Sequence, residues 1–517
     1  MARFGFPGGS YTLQSVNANC QKTQNWIPEA DESGFGVSAM HLNPTPGLAL
    51  FAALPHGMVR AIFEFKGVLY AVADSGFYVV KQDGTFTQAG VVADDGKPAQ
   101  IAANASQLLI VSGGSAYYYQ VSGKSVSGVA AGGFAQIDTT SGNAIQGPVV
   151  QCGGTDGYLI VLIANSQSIQ ISNLEDATTW ALSGVPTVVT VNDFPDNVLA
   201  MLVDHRQVWL FGQKATLPYY DSGSANIFDP VASGYVEQGI VAPFSPVKMN
   251  NSIFLLGGSD RGAGIAWNFQ GYQPIRVSNY AVEQEWNTYP TIADAEGYAY
   301  EDGGHTFWML RFPTANKTWC FDAATGLWHE RSTWNSAQGA AGAHASRCHA
   351  YCYGKHLVGD PNSGNVYWMA APQQSASGAW QFCTDNGAQI IRIRRAPHIS
   401  TEKQWIFHQQ LQVDLQAGVG PVPPLVDGNN APRDPQLMLR WSDDGGHAWS
   451  QYLNCGFGQA GNYTARAIWR RLGKSRDRVY EVSCADPVGV WLIDAYLEAN
   501  PGFGPQERMS AQLGKIA

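Results

Sequence analysis

Short apolar runs, each closed by a polar turn, recur from about residue 58 to about residue 372. The first group opens with Arg60-Ala61-Ile62-Phe63-Glu64-Phe65 and turns at Lys66-Gly67. It continues with Val68-Leu69-Tyr70-Ala71-Val72-Ala73 to Asp74-Ser75-Gly76, then Phe77-Tyr78-Val79-Val80 to Gln82-Asp83-Gly84. β-Branched and aromatic runs bounded by Gly, Asn and Asp predict strands joined by hairpin turns. Four such strands fit into roughly 35 residues, the size of a propeller blade. The unit returns as a central apolar run and an outer run: 108–112 with 117–119, 158–162 with 168–171, 208–212 with 217–220, 253–257 with 265–267, 305–310 with 318–321, and 356–359 with 366–368. The spacing of about 40 to 50 residues is the propeller period. A lone blade cannot bury both faces, whereas radial packing covers both and leaves no long edge exposed. The pattern therefore predicts a β-propeller of six or seven blades over 58–375.

The flanks differ. Residues 1–57 lack a clear period and carry Pro28, Pro44, Pro46 and Pro55, which predicts an extended N-terminal arm that wraps something. After 375, strands are predicted over 390–393, 405–415, 436–442, 465–471, 479–483 and 491–498, with a Pro/Gly-rich loop over 418–435. Six longer strands with that connection predict a separate C-terminal β-sandwich-like domain over 376–500. Residues 501–517 are polar and predict a flexible tail. The fold class is all-β.

Composition agrees with this reading. Only 14% of residues are charged while 12% are aromatic and 57 are glycine, which suits short strands and tight turns better than solvated helices. The net charge of −10 argues against a nucleic-acid coat. Basic residues nevertheless cluster at Arg392-Ile393-Arg394-Arg395 and from Arg466 to Arg478. The simplest reading is a solvated, alternating strand face; the other is a partner or DNA surface. The eight cysteines are scattered through a long chain and read as reduced. The N-terminus has no sustained apolar stretch after its basic residue, and no run of about eighteen apolar residues occurs, so neither a signal peptide nor membrane insertion is expected.

Candidate chemistry is sparse. Ser442-Asp443-Asp444-Gly445-Gly446-His447-Ala448-Trp449 matches the Asp-box pattern S-x-D-x-G-x-x-W. In such a turn Asp444 accepts from backbone N–H groups, Ser442 opens the motif, Gly446 supplies the tip conformation and Trp449 packs beneath. Asp boxes occur in sialidases, so a propeller glycan-binding or sialidase-like glycosidase is the alternative reading. That enzyme needs an arginine cluster and a supported tyrosine nucleophile, and no spacing singles one out. His344, Cys348, His349, Cys352 and His356 crowd together, but Cys348 and Cys352 lie four apart on a predicted strand with no knuckle turn between them. Asp204-His205-Arg206 reads as a polar hairpin. P-loop, G-x-S-x-G and H-E-x-x-H motifs do not occur, so no catalytic residue, cofactor or metal is expected.

Several segments in order resemble one family, the packaged-DNA stabilisation or tail hub (nozzle) proteins of short-tailed bacteriophages. They are Asn43-Pro44-Thr45-Pro46-Gly47-Leu48; Asp204-His205-Arg206-Gln207-Val208-Trp209-Leu210-Phe211-Gly212; Gly271-Tyr272-Gln273-Pro274-Ile275-Arg276-Val277-Ser278; Gly304-His305-Thr306-Phe307-Trp308 with Phe321-Asp322-Ala323-Ala324-Thr325-Gly326-Leu327-Trp328-His329-Glu330; Gly354-Lys355-His356-Leu357-Val358-Gly359-Asp360; and Arg440-Trp441-Ser442-Asp443-Asp444-Gly445 with Trp469-Arg470-Arg471-Leu472-Gly473. The resemblance implies a propeller core and a ring of six copies below an adaptor ring. That ring extends the DNA channel, helps a plug or needle close it after packaging, and anchors tail fibres or spikes. It implies a virion tail protein assembled in the host cytoplasm, with double-stranded DNA passing through the lumen without sequence-specific contacts. The family offers no catalytic residues to carry over. Residues 375–388 and the loop 418–435 depart from its pattern. Arg466, Arg470, Arg471 and Arg476 are then expected to face a partner or the adjoining subunit.

Overall fold

The computed structural model describes residues 2–123, 128–140, 144–181, 187–191, 196–224, 227–258 and 264–502. The tail expected over 501–517 lies, from 503 onward, outside the described residues. The chain is all-β apart from one short helix, Tyr280–Trp286, among those residues. No helix among them is long and apolar enough to cross a membrane.

Six contiguous stretches each fold into a four-stranded antiparallel meander: 59–91, 100–136, 149–190, 200–230, 247–276 and 296–335. A seventh unit has only three strands of its own, Cys348–Cys352, Lys355–Gly359 and Asn365–Ala370. Its fourth strand is Gly47–Ala53, which pairs antiparallel with Asn365–Ala370. The N-terminal segment thus closes the ring. Central strands such as Gln107–Ser112 and Tyr158–Ile163 are buried almost throughout because each blade is covered on both faces by its neighbours. The propeller core is divided into seven apolar clusters, one at each seam; the closing seam joins Val59, Ile62 and Leu69 to Ala350, Leu357 and Val366. The innermost strands surround an axial channel of about 560 Å³.

Hairpin turns follow the local chemistry. Lys66-Gly67, Asp156-Gly157 and Asn250-Asn251 have positive φ at both residues, the geometry that matches right-handed strand twist. His205 and Arg206 do the same at φ 48° and 61° without glycine, helped by side-chain bonds to adjacent blades. His205 Nε2 lies 2.7 Å from Asn251 Oδ1 and Arg206 Nε donates to Asp156 Oδ1 at 2.7 Å. The triplet Asp204-His205-Arg206 is a turn that ties three blades together.

The C-terminal strands Arg392–Arg395, Ile406–Leu415, Gln436–Ser442, Ala467–Arg470, Asp477–Cys484 and Leu492–Pro501 form two facing sheets around Trp26, Leu411, Leu437, Trp469, Tyr480 and Leu492. Residues 2–53, expected as an arm, are threaded through both domains. Trp26–Ala30 and Met40–Pro44 form a hairpin at one edge of a sandwich sheet, and Trp26 Nε1 donates to Val490 O. Cys20–Gln24 pairs antiparallel with Arg392–Arg395 on one side and parallel with Leu327–Asn335 of the sixth blade on the other. One continuous twelve-stranded sheet therefore runs from propeller into sandwich. The arm wraps its own chain.

This threading corrects the expectation of a solvated basic face at 392–395. Arg392–Arg395 is an interior strand paired on both sides, and the face that carries Arg392 and Arg394 is the fully buried one, while Ile393 and Arg395 stay partly exposed.

Candidate interaction surface

Arg394 shows how the buried arginines are used. Its Nε donates to Phe6 O at 2.6 Å, Nη1 to Gly9 O and Thr23 Oγ1 at 2.9 Å, and Nη2 to Gln21 Oε1 at 2.8 Å. The N-terminal segment is held by this one guanidinium, whose pKa burial lowers to about 9. Among the described residues the Arg392 guanidinium has no hydrogen-bond partner. Burial pushes the nearby Asp385 carboxyl up to about 7, against the pull of Arg392 and Arg331.

The Asp-box turn sits after the strand Gln436–Ser442. Ser442 Oγ donates to Asp444 Oδ1 at 2.6 Å and accepts from Gly446 N at 2.7 Å. Asp444 also accepts from His447 N at 3.0 Å and Ala448 N at 2.8 Å, and these bonds lower its pKa. Gly446 has φ 104° and Trp449 Nε1 donates to its carbonyl at 3.1 Å. The guanidiniums of Arg395 and Arg440 both lie over the Trp449 ring, 4.6 and 4.7 Å from its centroid. Both arginines pair with the buried Glu481, and Arg478 grips Asp443 through two bonds. Every charged group around the turn is engaged inside the chain, so the arrangement clamps the sandwich rather than presenting an anion site.

The second basic cluster faces out. Arg466, Arg470, Arg471 and Arg476 are exposed, as is Lys474. They lie just before, on and after the edge strand Ala467–Arg470. Arg470 Nε donates to Gln410 Oε1 at 3.0 Å, while Lys474 and Arg476 both lie over the Trp405 ring at 4.8 and 5.0 Å. Among the described residues none of the five has an ion-pair partner. Phe407, 47% exposed, neighbours them on the next strand.

The histidine–cysteine group is interior packing. His349 Nε2 is 3.1 Å from His356 Nδ1 with the rings stacked, and His344 Nδ1 is 2.6 Å from Ser346 Oγ. Burial lowers His344 and His349 to about 3 and raises the Cys348 thiol to about 12. Among the described residues no three His, Cys, Asp or Glu side chains are grouped to hold a metal.

One feature escaped the sequence reading. The hairpin tip between Ala30 and Met40 holds Phe35 at 96% exposure and Val37 at 59%. The tip is ordered by Asp31, whose Oδ1 accepts from Ser33 N and Oγ at 3.1 and 2.7 Å and whose Oδ2 accepts from Gly36 N at 2.5 Å. Asp31-Glu32-Ser33-Gly34 was a legible turn signal; that it carries an exposed phenylalanine was not.

The molecule is a seven-unit propeller joined to a sandwich by a shared sheet, with the charges around the Asp-box turn engaged internally and one basic edge left open. Two family profiles match in order: "Bacteriophage P22 Gp10, beta-propeller" over residues 17–373 and "Bacteriophage P22 Gp10, beta-sandwich" over 391–500. The chain belongs to the bacteriophage P22 Gp10 family, a tail hub and stabilisation family of short-tailed phages, and is a phage tail structural protein of the virion. No curated protein sequence matches it. Among solved structures, the extracellular domain of a one-component system from B. thetaiotaomicron is 9% identical, with a TM-score of 0.41 over 68% of this chain and 46% of that one. The chain thus spans under half of that protein's length. The N-terminal domain of Nup159 is 10% identical, with a TM-score of 0.33 over 68% and 98%. The computationally designed Ika8 protein is 9% identical, with a TM-score of 0.35 over 62% and 99%.

Proposed function

We propose that this chain is the ring-forming subunit of the tail hub, or nozzle, of a short-tailed phage. Six copies extend the portal channel below the adaptor ring, help a plug or needle hold packaged DNA, and anchor fibres or spikes. The observation that carries this reading is family membership across both domains, on a fold whose domains share one sheet. A channel wall under pressure from packaged DNA needs such a joint, because a flexible linker would let the domains move independently.

DNA in the lumen must slide. Phosphate contacts from many cations would hold it, and a net charge of −10 per copy suits a wall without them. The exposed Arg466, Arg470, Arg471 and Arg476 then serve a protein contact. The protein acts without catalysis, as a structural part assembled in the host cytoplasm. A sialidase-like reading would need an arginine cluster free to hold a substrate carboxylate, and Arg395, Arg440 and Arg478 around the Asp box are committed to Glu481 and Asp443.

The test is addition of purified chain to DNA-filled heads that lack it, followed by electron cryomicroscopy. Ring density below the adaptor at the tail vertex is expected. Absence of binding, or binding scattered over the capsid, would overturn the reading.

A further inference from the structure

We infer that the hairpin tip at 31–39 and the basic edge at 466–476 are the two halves of one interface, which joins each copy of this chain head to tail to the next. The inference rests on the ring reading and deepens it by naming the surfaces.

The two patches belong to one sheet. Its strand order is Trp26–Ala30, Met40–Pro44, Leu492–Pro501, Ile406–Leu415 and Ala467–Arg470, so hairpin and basic strand are opposite edges. Both flank the same end of the sheet. Ala2–Arg3 pairs with Leu492–Pro501 at Tyr496, and the Arg3 guanidinium donates to Val37 O in the tip. On the far side Gln410 is paired with both Glu498 and Arg470. With strands about 4.8 Å apart, the edges stand roughly 15 to 20 Å from each other and cannot meet within one chain.

Their chemistry is complementary. The tip is acidic and apolar, with exposed Glu32, Phe35 and Val37 and no basic residue from 31 to 39, and the Arg3 guanidinium that meets it is paired with Asp494. The opposite edge carries Arg466, Arg470, Arg471, Lys474 and Arg476 beside Trp405 and the exposed Phe407. A nearly fully exposed phenylalanine on an ordered turn has the form of an interface anchor, and aromatic and arginine side chains dominate such contacts. Because the surfaces differ and lie on opposite edges, the contact is heterologous, and a heterologous contact propagates from copy to copy and forms a ring where the rotation between copies closes. A second copy is favoured over nucleic acid as occupant of the basic edge, since its complement is present on the same chain.

The test uses the full chain, with assembly read by mass photometry and folding checked by near-ultraviolet circular dichroism. Glu32→Arg, Phe35→Ala and the pair Arg470→Glu with Arg471→Glu should each fold and each weaken self-association at least tenfold. An equimolar mixture of Glu32→Arg with the Arg470→Glu/Arg471→Glu chain should restore rings with an even number of subunits, because every seam is then complementary. Rings of normal yield from all three variants alone would overturn this interface and leave the ring reading standing. Edge variants that form rings normally but no longer bind a double-stranded DNA fragment would reassign the edge to nucleic acid. A native chain that stays monomeric even on the adaptor would remove the ring reading itself.

Discussion

Arg394 donates to four acceptors with no exposure to water, and two of these acceptors are backbone carbonyls of the N-terminal segment. Replacing it with methionine keeps the volume but leaves buried acceptors unpaired, at about 1–3 kcal/mol each. Arg394→Met should cost about 3 kcal/mol in denaturant unfolding and expose residues 2–24 to protease; unchanged stability would refute the clasp. The buried histidines set the pH response. His344 and His349 titrate at about 3 and His408 at about 4 in the fold, and His329 is also held well below its ordinary value, all chiefly through burial. Their stabilising contribution is complete above about pH 6.5 and is lost as the pH falls towards those folded values, because the unfolded chain takes up the protons first. Asp385, raised to about 7, acts in the opposite direction between about pH 4 and 7. Burial lowers His356 as well, and it raises the Glu285 carboxyl, which acts with Asp385. Five histidines outweigh two carboxyls, so urea midpoints should fall steadily from pH 7 to pH 5, and a flat profile would contradict that burial. At this scale the Asp box was legible because its turn is local. The fate of Arg392 and Arg394 was not, because alternating Arg and Ile reads as a strand with its arginines in water, whereas here the arginine face is the buried one.

Among the elements, Gly47–Ala53 closes the propeller. Gly47 passes so near the strand Thr384–Asp385 that an added Cβ would meet Phe382 O and lie 2.7 Å from Thr384 O, both backbone atoms unable to swing aside. Gly47→Ala should cost about 1–3 kcal/mol, as overpacking does. Calorimetry should place the loss in the propeller transition if the domains unfold separately, and a neutral result would mean that the strand sits more loosely than described. Blade strands could be read from the chain because each meander is local and both of its faces are apolar. The long-range pairing partners within residues 2–53 were hidden because they lie about 300 to 500 positions away. No local period encodes such contacts, and four prolines in that stretch pointed away from strands.

For the whole molecule, the propeller and sandwich form a single unit because Cys20–Gln24 zips them into a common sheet. That construction suits a wall segment more than a hinged binding module. Family membership supplies the setting, and the two complementary edges supply a way for copies to join. The most direct test of the hub assignment is DNA retention. A nonsense codon in this gene of the parent phage, followed by infection of a non-suppressing host, should yield heads that package DNA and then leak it, leaving empty heads. Full, stable heads that merely fail to adsorb would contradict channel closure and leave a fibre-anchoring role alone.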